Sequence, residues 1–188
     1  MGRIGANGVR LKQMGLVWNS CGWFETDAAH LVLPKARSRI AGWYVLTSDP
    51  SKTNSVIKPN GPLHVMCMTP KNVLASAGEA ETSGVYHGFQ RVVPMRVTLE
   101  ELGHKQPPLG TPAFTNNSTA HGILTSKMRQ KLSKAFDMRY HWAKDRIAQK
   151  QFNLQWQKGD VNMSDYFTKH HPPWKHKIMR YKYLQKPA

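Results

Sequence analysis

Runs dense in β-branched and aromatic residues alternate along this chain with longer stretches of helical spacing. That alternation sets the expected order of elements. Leu16-Val17-Trp18 and then Cys21 to Asp27 read as a first strand, ending at Asp27. Ile40 to Thr47 is a second, since its branched and aromatic side chains suit a pleated, half-buried surface. Ser48 to Pro62 holds Pro50, Pro59, Gly61 and Pro62, which makes it a loop before a third strand at Leu63 to Met68. A helix is expected from about Ser76 to Leu102, broken or kinked at Pro94, which has no backbone N–H to donate.

Gly103 to Pro112 is turn-rich and leads to a fourth strand at Ala113 to Thr115, which delivers Asn116. A short helix follows, then a longer one from about Ser133 to Gln151 with Phe136, Tyr140, Ala143 and Ile147 on one face. Phe152 to Gln157 alternates apolar and polar positions, so a fifth strand would turn Phe152, Leu154 and Trp156 inward. Asn162 to Lys169 opens a last helix, stopped by Pro172-Pro173. Helices between strands predict an α/β fold, with a central mixed five-stranded sheet flanked by helical layers. Residues 1–20 read as an irregular basic lead-in, 21–172 as one domain and 173–188 as a basic aromatic C-terminal tail.

Charge changes this picture more than size does. The 188 residues are one domain's length, but the formal charge is +16 with a pI near 10.1. From Lys127 onward there are 15 Lys and Arg against 4 Asp and Glu, so +11 of the excess lies in the last third. Such an excess favours a polyanionic partner, nucleic acid before an acidic membrane, since no amphipathic Lys-rich segment stands out. No apolar run reaches the roughly 18 residues of a membrane span. Cys21 and Cys67 stand far apart, as expected for ordinary buried thiols in a reduced, intracellular setting.

Candidate chemistry lies in five segments. Glu25-Thr26-Asp27-Ala28 precedes the basic stretch Lys35, Arg37, Arg39. Ala75 to Glu81 reads A-S-A-G-E-A-E, Thr115 to Ile123 reads T-N-N-S-T-A-H-G-I, Ser133 to Trp142 reads S-K-A-F-D-M-R-Y-H-W, and Asp165 to Lys169 reads D-Y-F-T-K. In this order they resemble the ribonuclease H domain of copia-type LTR retrotransposon polyproteins, over roughly Cys21 to Leu184. The resemblance implies a ribonuclease H-like fold in a detached terminal domain. It also implies a catalytic set at Asp27, Glu81, position 116 and Asp165, with Asp27 bridging two metal ions. The family's third acid is here the neutral amide of Asn116, which leaves Asp27, Glu81 and Asp165 as metal-binding carboxylates.

Phosphodiester hydrolysis needs an activated water and a neutralised leaving oxygen. Two Mg²⁺ (or Mn²⁺) ions about 4 Å apart supply both, and these hard cations want carboxylate oxygens. An amide brings no charge, and its loss of several kcal/mol of attraction predicts a rate at least about a thousandfold lower, at 1.4 kcal/mol per tenfold. The blander roles are a solvated helix position for Glu81 and, for Asp165, an acid in a first helical turn capped by Ser164. His170, His171 and His176 fit no zinc spacing, and Asp160 reads as a turn residue.

In the tail, Trp174 to Leu184 interleaves cations with rings, so Lys175, Lys177, Arg180 and Lys182 join Lys35, Arg37 and Arg39 as candidate nucleic-acid contacts. Ile178, Tyr181 and Leu184 could instead dock the tail on the core. The resemblance implies a retrotransposon-derived domain that binds RNA or an RNA–DNA hybrid, with its ancestral hydrolysis of the RNA strand impaired. The alternatives are a non-catalytic RNA-binding component of a ribonucleoprotein assembly and a decaying fragment without a role.

Overall fold

The computed structural model describes residues 22–47, 59–127 and 137–183. Strands β1 (Gly22–Leu33), β2 (Arg37–Thr47) and β3 (Pro59–Met68) form an antiparallel meander, and helix α1 (Ala77–Glu101) crosses back over it. Next come β4 (Thr111–Thr115), α2 (Ser118–Leu124), α3 (Asp137–Ala148) and β5 (Phe152–Trp156). A 3-10 turn (Gly159–Val161), the single-turn helix α4 (Asp165–Thr168) and α5 (Pro173–Tyr183) complete the described chain. The sheet order is β3-β2-β1-β4-β5, with β4 parallel to both β1 and β5. The expected mixed five-stranded sheet flanked by helices is therefore the observed one.

The core lies between α1 and α3 and one face of the sheet. Phe24, Tyr44, Val85, Phe89, Val92 and Phe152 are all but fully buried, and the Phe89 and Phe152 rings stack at 3.7 Å. Two glycines set how near α1 lies to β1. A Cβ on Gly88 would stand 1.9 Å from Phe24 Cζ, and one on Gly84 would stand 2.6 Å from Thr26 Oγ1. Glu81, Gly84 and Gly88 share one helix face by their i, i+3, i+7 spacing. The close approach permitted by the glycines thus also carries the Glu81 carboxyl to β1.

Several expected boundaries move. β1 does not end at Asp27 but runs on to Leu33, because Asp27, Ala28 and Ala29 pair with Ala41, Ile40 and Arg39 on β2. β3 begins at Pro59 rather than Leu63: it is an edge strand, where missing proline N–H groups cost no ladder bonds. α1 continues through Pro94 as one 25-residue helix. The described part of the long helix starts at Asp137, with Tyr140 and Ala143 buried as expected, while Phe136 lies outside the described residues. Trp156, expected inside, is 48% exposed at the strand end, beyond the helical cover. Pro173 does not end a helix but opens α5, where a fixed φ and a missing N–H suit the first turn. Cys67 is exposed rather than buried, on the edge strand, and Cys21 lies outside the described residues.

The expected basic tail is, over its described part, the docked helix α5. Met179 is buried, the Tyr183 ring meets Trp43 edge-on at 4.9 Å, and its hydroxyl donates to the Met163 carbonyl at 2.6 Å. Of the residues expected to dock the tail, Ile178, Tyr181 and Leu184, Ile178 points to solvent and Leu184 lies outside the described residues, and Met179 and Tyr183 make the contact. Among the described residues no helix is long and apolar enough to cross a membrane.

Candidate active site

The parallel pairing of β1 with β4 brings Asp27 and Asn116 together, since Thr26 is in register with Thr115. Asp27 is 2% exposed, and Asn116 Nδ2 donates to its Oδ1 at 2.8 Å. Its other oxygen, Oδ2, accepts a hydrogen bond from the Thr168 hydroxyl. Asn116 is steadied in turn by the Trp156 indole, which donates to its backbone carbonyl at 3.0 Å. Its neighbour Asn117 is the N-cap of α2, accepting from the Ala120 amide at 2.9 Å.

Glu81 arrives from α1, and the A-S-A-G-E-A-E segment divides its two acids between two jobs. Ser76 caps the helix by accepting from the Glu79 amide at 3.1 Å, while Glu79 Oε2 accepts from the Ala75 amide at 2.7 Å. Glu81, two residues on, points into the protein and is 4% exposed. Its Oε1 accepts from the Ala28 amide at 3.1 Å and its Oε2 from the Thr115 hydroxyl at 3.4 Å. Burial, and then the Asp27 carboxylate beside it, push the Glu81 carboxyl up to about 8. Near neutral pH it is therefore largely protonated, which relieves the repulsion between two buried acids.

Residues 162–168 are stitched to β1 from the far end of the sequence. Asn162 Nδ2 donates to the Thr26 carbonyl at 2.8 Å, the Met163 amide donates to Glu25 Oε2 at 2.7 Å, and Ser164 Oγ donates to the Glu25 carbonyl at 2.8 Å. Ser164 thus does not cap α4, contrary to its expected role. The stitching places Thr168 against Asp27 and sets Asp165 at the rim, where its Oδ1 forms an ion pair with Lys169 Nζ. Burial works to lower the Lys169 ammonium, but Asp165, then Asp27 and Glu81, hold it above the usual lysine range. The D-Y-F-T-K motif thus brings Thr168 and Lys169 to the site as well as the expected Asp165.

A pair of divalent cations would need carboxylate oxygens left open to them. Both Asp27 oxygens and both Glu81 oxygens accept hydrogens from protein donors, and Asp165 faces an ammonium. Among the described residues no three His, Cys, Asp or Glu side chains are grouped so as to hold a metal ion. As arranged, the residues do not fit a two-cation cage. Of the three histidines, His171 stacks on Tyr166 and His176 Nδ1 bonds the Tyr166 hydroxyl at 2.6 Å. Asp160 lies in the 3-10 turn, as expected.

The basic candidates are dispersed. Lys35 sits in the β1–β2 turn at φ 60°, while Arg37 and Arg39 share one face of β2. On α5, Lys175, Met179 and Lys182 share the face toward the domain, and Lys177 and Arg180 point elsewhere.

No family model matches the chain, and no curated protein matches it. Solved structures do. One is the N-terminal ribonuclease H domain of Rv2228c from Mycobacterium tuberculosis, as a fusion with maltose-binding protein. It has a TM-score of 0.53 and 10% identity, covering 79% of this chain and 91% of that one. Another is LC11-RNase H1, isolated from compost by a metagenomic approach, with a TM-score of 0.55 and 9% identity over 78% of this chain and 91% of that one. At these identities the likeness is one of fold, and the fold of this chain is ribonuclease H-like.

Proposed function

We propose that this chain is a nucleic-acid-binding, ribonuclease H-like domain of copia-type retrotransposon descent whose two-metal hydrolysis is impaired. One observation carries the reading: at position 116 an amide donates a hydrogen bond to Asp27 instead of facing it as a second carboxylate. Two facing carboxylates would repel and recruit a cation, whereas an amide and a carboxylate satisfy each other. The charge of +16 supports a polyanionic partner, RNA or an RNA–DNA hybrid, without supplying a reaction. Binding therefore persists on this reading, while cleavage falls by about a thousandfold or more.

The test incubates the protein and its Asn116→Asp variant with a labelled RNA–DNA hybrid, with Mg²⁺ or Mn²⁺ added, and follows binding and cleavage separately. The expected result is salt-sensitive, metal-independent binding by both and metal-dependent cleavage only by the variant. Efficient cleavage by the natural protein would overturn the impairment. Absence of hybrid and RNA binding at low salt would overturn the whole reading.

A further inference from the structure

Two cavities flank the acid site, and Lys169 lines both. The larger, about 300 Å³, opens between the 3-10 turn, α4 and α5. Lys169, Lys175 and Lys182 line it, with Met163 and the buried Met179. The smaller, about 170 Å³, shares Lys169 with it and is otherwise lined by Arg39, Val32, Thr168 and His170. Thr168 is also the hydroxyl bound to Asp27, so the acid site lies beside this line of cations.

Charge around the larger cavity is unevenly matched. Asp165 is paired with Lys169, and Asp160 is exposed at the rim. Among the described residues Arg39, Lys175 and Lys182 form no ion pair. Lys182 Nζ rests 3.7 Å from Met163 Sδ, with Glu25 behind it close enough to feel its charge. Ammonium groups held at a cavity mouth over a thioether surface suit a phosphate with its sugar, since the anion meets the cations and the apolar edge meets the methionines.

We propose that one nucleic-acid strand crosses the acid site along a track from Arg39, over Lys169, into the Lys175–Lys182 cavity, which holds its phosphodiester backbone. This rests on the nucleic-acid-binding reading above and selects among its candidates. Lys175 and Lys182 contact the strand, while Lys177 and Arg180, on another face of α5, contribute only to the general field.

The test measures affinity for a labelled RNA–DNA hybrid across a salt series. It compares the natural protein with Lys175→Gln/Lys182→Gln, with Arg39→Gln, and with Lys105→Gln/Lys150→Gln as a control. The control lysines are exposed in the turns preceding β4 and β5, at the opposite end of the parallel strands from Asn116. The track predicts that the slope of log K against log[salt] flattens by about 1.8 for the cavity pair and about 0.9 for Arg39→Gln, at about 0.9 per lost phosphate contact. The control pair leaves the slope unchanged. Equal flattening by both pairs, or by neither, would overturn the track while leaving nucleic-acid binding intact. If the natural protein shows no salt-dependent binding, the underlying reading fails and the track with it.

Discussion

Glu25 carries a sharp prediction about stability. It sits on β1 facing residues 162–164, is 5% exposed, and its carboxyl is raised from 4.5 to about 7. Burial is the cause, only partly offset by the Met163 amide and more weakly by Lys182. At 1.36 kcal/mol per pKa unit, ionising it inside the folded protein costs roughly 3 kcal/mol. The sign follows from proton binding: between pH 4.5 and 7 the folded state holds a proton that the unfolded chain has released. Stability from this group is fully present below pH 4.5 and is lost as pH rises through about 7. Glu25→Gln removes the titration but keeps an oxygen to accept from Met163. Urea unfolding followed by circular dichroism, from acidic to mildly alkaline pH, measures the difference. The two proteins should match at the acid end, and the variant should be more stable by roughly 3 kcal/mol at the alkaline end. A gap constant with pH, or a variant weaker at the alkaline end, would refute the reasoning. Glu81 titrates in both proteins and cancels.

Three further outcomes are expected. Gly88→Ala forces a methyl into Phe24 and should cost roughly 3 kcal/mol in urea unfolding. Gly78→Ala, whose Cβ would meet nothing closer than Thr119 at 3.5 Å, should be neutral or stabilising by up to about 1 kcal/mol. Asn116→Asp should lower the unfolding free energy by about 2 kcal/mol through repulsion between two buried carboxylates at Asp27, which urea unfolding would measure.

The sequence made some of this legible and hid the rest for identifiable reasons. Asp27, Glu81 and Asn116 were named through the resemblance of their ordered motifs, and the parallel pairing of β1 with β4 and the packing of α1 on β1 bring the three together. The mixed sheet followed from the order of the strand and helix signals. The reach of β1 past Asp27 was hidden because it depends on pairing with β2, a partner that local pattern cannot name. Trp156 has the right alternation for the core, but it falls past the edge of the helical layer, a property of the assembled sheet. Thr168 and Lys169 were visible as letters, but their role needs Asn162, Met163 and Ser164 to bind β1, a contact across more than 130 residues of chain.

The hydrogen bonds that Glu81 accepts from Ala28 and Thr115 have a consequence for folding. Both oxygens of Asp27 and both of Glu81 are answered by the chain's own amides and hydroxyls, so folding does not wait for a cation. The acid site is in that sense assembled by the chain alone, as a part of its polar interior rather than around a bound ion.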